Sequence, residues 1–295
     1  MARRELTREQ VMRRARVIQG LNRTYFKWKF RLSGPRLGVE RFLDTEAGRV
    51  RTLWYDCEGQ EPKPLVCDLH GGGFMLMSAD VDEPFCREFV AKVGCRVISI
   101  DYAKAPQHPY PAAVDQTYAV VKHLVDHASE YGIDSSRLAI VGHSAGGNLA
   151  AVTSLRSIKE GGFGFRCQIL DYPVLDLATS PFDKPSPKGS VPPWMATLFD
   201  RAYVTDLAEA RNPYVSPVYA SLEDVRGLPP ALIIVAGRDS LRDEGVTYAR
   251  MLSEAGVETE LHEFPDQPHG FTYKASPATE EALRLMGDFL RKHLA

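Results

Sequence analysis

The chain has 295 residues, of which 44% are hydrophobic and 25% charged, a balance that supports a sizeable core and excludes intrinsic disorder. Net charge is −2, but residues 1–36 hold eleven Lys/Arg against Glu5 and Glu9, so that segment is +9 and the remainder −11. No apolar run approaches the roughly 20 residues of a membrane span, the charged N-terminus lacks a secretion-type apolar stretch, and the five cysteines show no C-x-x-C spacing. These features predict a cytoplasmic protein with reduced cysteines.

In chain order, Val11, Ala15, Ile18, Leu21, Tyr25 and Trp28 recur at steps of three and four and predict a helix over about 7–30, opposite an arginine-rich face. The basic arm is expected to be a solvated surface helix. An anionic lipid surface is its lesser alternative, and nucleic acid is not an expected partner. Gly34-Pro35 ends the segment, and strand-like runs follow at Val39–Leu43 and Val50–Tyr55, with Glu46-Ala47-Gly48 fitting a hairpin turn between them.

Further strands are predicted at Leu65–Leu69, Arg96–Ile100, Leu138–Val141, Cys167–Leu170, Ala231–Ala236 and Glu258–Glu263. Helices are predicted at Glu83–Val93, Ala112–His127, Gly147–Ile158, Asp243–Ala255 and Thr279–His293. Several of the strands are apolar throughout, as strands covered by helices on both faces must be. The alternation predicts an α/β fold with a mostly parallel central sheet and its functional loops at the C-terminal strand ends. Residues 178–217 break the pattern. They carry seven prolines and scattered aromatics, which reads as a lid or binding loop.

Three motifs carry chemistry. Gly142-His143-Ser144-Ala145-Gly146 is G-x-S-x-G, between a predicted strand and a predicted helix, where a tight turn pushes the serine hydroxyl into a cleft. His70-Gly71-Gly72-Gly73 follows another strand, and its glycines let backbone N–H groups approach an oxyanion closely. The phosphate-loop patterns G-x-x-x-x-G-K-[ST] and G-x-G-x-x-G are absent from it. A serine nucleophile needs a base, and the base needs an acid to fix its tautomer. His269, in a loop after the last predicted strand, and Asp239, after the strand at 231–236, follow Ser144 in the order nucleophile, acid, base. Asp243 and Asp266 are the competing acids; the first reads as a helix start and the second lies close to His269 in sequence.

Together HGGGF at 70–74, DYAKAPQHPYPAAVDQ at 101–116, GHSAGGNLA at 142–150, NPYVSP at 212–217, LPPALIIVAGRDSLRDEG at 228–245 and HGF at 269–271 closely resemble the hormone-sensitive-lipase family of bacterial carboxylesterases, within the α/β-hydrolase fold. The resemblance implies Ser144 as nucleophile, Asp239 as acid and His269 as base, with an oxyanion hole from the N–H groups of Gly72, Gly73 and Ala145. It also implies a cap over the pocket built from 1–36 and 178–217, on a catalytic domain spanning 37–295. Phe74, His143, Trp194, Phe199 and Tyr203 are candidates for the pocket. No cofactor or metal is expected, the partner is a small ester, short acyl chains are the default, and homo-oligomerisation stays open. The chain departs from the family at His143, where Asp or Thr is usual, and at Ser240, where Pro is common. Rival readings are an amidase or peptidase using the same triad, and a receptor without turnover, which retention of His269 argues against.

Overall fold

The structure, a computed structural model, describes residues 7–32 (backbone only over 27–32), 37–56, 59 and 61–295. Gly34-Pro35, Trp28 as a packing residue and Cys57 lie outside that description.

Eight strands form one sheet: β1 (Val39–Thr45), β2 (Gly48–Tyr55), β3 (Lys63–Leu69), β4 (Arg96–Asp101), β5 (Ile133–His143), β6 (Cys167–Asp171), β7 (Ala231–Arg238) and β8 (Thr259–Pro268). Their order is β1-β2-β4-β3-β5-β6-β7-β8. The hairpin β1–β2 and the β2–β4 pair are antiparallel, and every later pair is parallel. All eight predicted strands are present, extended by a few residues where backbone pairing continues past the apolar run.

Side-chain alternation explains why the central strands are apolar throughout. Leu65, Cys67 and Leu69 of β3 enter one core with Leu138 and Ile140 of β5, while Val66, Ala139 and Val141 enter the other. The first core lies under α3 (Ala112–Asp126), α4 (Ala145–Glu160) and α6 (Arg242–Glu254). The second lies under α2 (Glu83–Val93) and α7 (Pro277–Leu294). Burying both faces of a strand withdraws every side chain from water, at about 25 cal/mol per Å² of apolar surface.

Helix α1 (Arg8–Leu32) is present and packs against α5 (Pro193–Tyr203), a helix inside the predicted irregular excursion. Its expected apolar stripe is corrected beyond Ile18, which still packs against the first core. Val11 and Ala15 are buried, but Leu21 and Tyr25 are exposed. The helix instead turns Gln19 and Asn22 inward. Gln19 Nε2 donates to the Met75 and Ala105 carbonyls at 3.1 and 2.9 Å, and the Asn22 amide oxygen accepts the Met77 N–H at 3.2 Å. The physical reason is that α1 lies over a loop whose backbone polar groups need partners, so amides outcompete aliphatic side chains there. None of the described helices is long and apolar enough to cross a membrane.

Candidate active site

β5 ends at His143 and α4 begins at Ala145, leaving Ser144 alone to reverse the chain. Its φ of +54° is in a region that non-glycine residues avoid, and the turn is anchored by the Ser144 N–H donating to the Asp171 carbonyl at 2.8 Å. Only glycine fits at the flanks. A Cβ on Gly142 would lie 2.1 Å from the Gly146 carbonyl oxygen, and one on Gly146 would lie 1.9 Å from the Leu69 carbonyl oxygen. The turn therefore lets α4 press directly on β3.

His269 follows β8 and Asp239 follows β7, so both arrive, like Ser144 after β5, at the C-terminal ends of the parallel strands. The His269 Nε2 lies 3.0 Å from Ser144 Oγ, and its Nδ1 lies 2.6 Å from Asp239 Oδ2. The other Asp239 oxygen accepts the Leu241 N–H at 3.2 Å, which orients a carboxylate that is only 3% exposed. Burial pulls the His269 pKa down, but the Asp239 charge and hydrogen bond outweigh it and hold the ring above its ordinary 6.5. The competing acids stand apart. Asp243 and Asp266 are exposed, the first paired with Arg242.

Gly72 and Gly73 sit beside the serine with φ of +114° and +59°. Their N–H groups and that of Ala145 have no hydrogen-bond acceptor among the described residues. Gly72 is held by its own carbonyl, which accepts the Leu76 N–H at 2.8 Å.

A cavity of about 320 Å³ opens onto Ser144 and His269, with mostly apolar walls. Phe74 and Phe199 line it as expected, together with Asn22, Tyr25 and Phe26 from α1. Three expected pocket residues do not line it. Trp194 is half exposed in the first turn of α5 and lies with Leu198 beside Arg13, Arg14 and Val17 of α1, away from the cavity. Tyr203 is buried behind the wall, stacked on Phe74 with ring centroids 3.8 Å apart. His143 alternates away from the pocket into the layer beneath, where Nδ1 lies 2.8 Å from Asp171 Oδ2. Ser240, the other departure from the family pattern, lines the cavity.

Sequence reasoning missed Lys184 and Asp200, which bring charge to the otherwise apolar wall. The Lys184 ammonium donates to Glu244 at 2.7 Å, and burial pushes the Asp200 carboxyl up to about 7. The Pro-rich context of Lys184 hid it, because long charged residues in loops ordinarily point to solvent. Tyr273 was also missed, although it is four residues beyond His269. Its hydroxyl accepts the Gly71 N–H at 3.2 Å.

Residues 66–273 match a family described as having the alpha/beta hydrolase fold. The chain is similar to the esterase LipI of Mycobacterium tuberculosis, 34% identical over 251 residues that cover 83% of this chain and 78% of that protein. It is similar to an ethyl acetate hydrolase of Pseudomonas putida, 34% identical over 234 residues, covering 77% of this chain and 72% of that one. Among solved structures, a thermostable esterase from Pseudomonas putida superposes with a TM-score of 0.82 at 32% identity, over 88% of this chain and 83% of that one. With its sheet order, its nucleophile-type turn and the match over most of its length, the chain belongs to the alpha/beta hydrolase family, on the hormone-sensitive-lipase-like branch.

Proposed function

We propose that the protein is a serine carboxylesterase that hydrolyses small esters through an acyl-enzyme on Ser144. The observation that carries this reading is the unbroken line from Asp239 through His269 to Ser144, with contacts of 2.6 and 3.0 Å. In the first step Ser144 Oγ attacks the ester carbonyl while His269 Nε2 takes the hydroxyl proton. Asp239 holds the ring tautomer and stabilises the imidazolium that forms. The oxyanion rests on the N–H groups of Gly72, Gly73 and Ala145, each such donor contributing on the order of 10²–10³ in kcat. The alcohol leaves with the proton from His269, and water repeats the sequence to release the acid. The reaction uses no metal or organic cofactor.

Short acyl chains suit a cavity of about 320 Å³ closed by Phe74 and Phe199. The name of the ethyl acetate hydrolase relative points the same way. We assign the cap to α1 together with 178–217, since α1 and α5 both supply cavity residues and pack on each other. A cytoplasmic address is consistent with four described cysteines, all unbridged and buried.

The test is hydrolysis of p-nitrophenyl esters from acetate to laurate, with the matching anilide to separate ester from amide cleavage. Turnover should be greatest on the shorter esters and fall by on the order of 10⁴–10⁶ in Ser144→Ala and His269→Ala. Near-wild-type turnover in either variant would defeat the assignment.

A further inference from the structure

Directly beneath the site lies a buried set of polar groups that the acyl-transfer steps do not use. Asp68, Asp82, His143 and Asp171 are all fully buried. His143 stands between two carboxylates, with Nδ1 2.8 Å from Asp171 Oδ2 and Nε2 3.7 Å from Asp68 Oδ1. The Tyr273 O–H donates to Asp82 Oδ1 at 2.7 Å while its oxygen accepts the Gly71 N–H. The Thr272 hydroxyl donates to Asp171 Oδ2 at 2.7 Å, and the Ser99 hydroxyl donates to Asp68 Oδ2 at 2.6 Å. Asp68, Asp82 and His143 each bring a polar atom within 4.8 Å of the others. Each also keeps one buried atom without a hydrogen-bond partner: Asp68 Oδ1, Asp82 Oδ2 and His143 Nε2.

The connections reach all three parts of the site. Gly71 adjoins the oxyanion glycines, His143 is the peptide neighbour of Ser144, and Thr272 and Tyr273 sit on the turn that follows His269. We propose that Asp68, Asp82, His143, Asp171 and Tyr273 form one positioning unit, which holds the oxyanion loop, the nucleophile turn and the base loop in register. The proposal rests on the serine esterase reading above.

Unpaired charge is not tolerated at such depth, so the protons must be shared out. Burial opposes a charge on His143, but Asp171 and Asp68 outweigh it and bring its pKa to about 10, so the ring is an imidazolium between two carboxylates. Burial and the neighbouring Asp68 push the Asp82 pKa well up, which favours its protonated form. A proton on Asp82 Oδ2 faces Asp68, whose nearest free oxygen lies within 4.8 Å, while Oδ1 holds Tyr273. Phe85 covers the His143 ring at 4.2 Å and meets Tyr273 edge-on at 5.3 Å; the titratable rings of Tyr273, at 5.6 Å, and Tyr172, at 6.5 Å, also face it. The alternative is a divalent cation on Asp68, Asp82 and a neutral His143 backed by Asp171, an arrangement seen at many metal sites.

The wild type is assayed first on p-nitrophenyl acetate; no turnover there would count against the esterase reading, not against this one. Given turnover, Tyr273→Phe deletes one hydroxyl and keeps the ring. Its kcat should fall by on the order of 10², with KM and the circular dichroism spectrum little changed, since small misplacements of reacting groups cost about that much. Asp82→Asn keeps an acceptor for Tyr273 and a donor for Asp68, so its kcat should stay near wild type, whereas Asp82→Leu should match Tyr273→Phe. Unchanged kcat in folded Tyr273→Phe would overturn the positioning role, as would Asp82→Asn behaving like Asp82→Leu. One equivalent of divalent metal in the isolated protein, lost together with activity on chelation, would overturn the proton-shared arrangement.

Discussion

The ring of Phe199 occupies the space where a side chain on Gly73 would stand: a Cβ there would lie 2.4 Å from the ring. Helix α5 is thus fitted against the glycine loop at 71–73, and Gly73 is needed for close approach as well as for its φ of +59°. Gly73→Ala should lower kcat by on the order of 10² or more by displacing the loop. Adding Phe199→Ala should recover part of that loss. If the double variant is no faster than the single one, the steric account is wrong.

The pH dependence follows from the His269–Asp239 contact. In the proposed mechanism His269 must be neutral to accept the serine proton, and Asp239 outweighs burial to raise the pKa of the ring above 6.5. Activity therefore falls as pH drops through that raised value. Asp239→Asn removes the charge that favours the imidazolium, so the acidic limb of kcat/KM should move to lower pH. At the same time kcat should drop by on the order of 10⁴ through loss of the correct tautomer. A limb that stays in place or moves upward would contradict the assignment of Asp239.

Trp194 and Phe199 make a controlled comparison, since they lie on the same helix with different surroundings. Trp194 lies outside the cavity, so Trp194→Ala should leave kcat/KM within about twofold of wild type, the range of an ordinary surface change. Phe199→Ala enlarges the cavity and should extend hydrolysis toward longer acyl chains. An acyl profile altered by Trp194→Ala but not by Phe199→Ala would reverse the picture of the pocket.

Helix α1 supplies Asn22, Tyr25 and Phe26 to the cavity, and Gln19 ties it to the loop below. Deleting residues 1–36 should leave the sheet and its two cores folded, because few of their buried residues come from α1. KM for short esters should rise as one wall is lost. Unfolding of the truncated chain, read by circular dichroism, would show that α1 belongs to the core and not to a cap.

Period and local turn chemistry made most of the scaffold legible. The apolar runs from Leu65 to Ala236 had to be strands buried on both faces, and Gly142 and Gly146 flanked a serine that only a strand-to-helix turn explains. The resemblance to a family then ordered Ser144, Asp239 and His269. Two places where reading failed lie on α1 and α5. Gln19 and Asn22 turn inward because of a loop more than fifty residues away in sequence, and Trp194 is left half exposed because it stands in the first turn of α5, one turn before the buried Leu198 on the same face.

The sequence alone, then, determined the eight strands, the helices that flank them (though not α5), their β-α alternation and the chemistry-bearing motifs, because each depends on residues within a few positions of one another. Only the tertiary structure decided that groups 125 residues apart would stand 3.0 Å from each other. It alone also sent the His143 ring downward into a carboxylate cluster instead of upward into the pocket. In a strand, side chains alternate between faces, so which face holds charge depends on what distant strands and loops bring there.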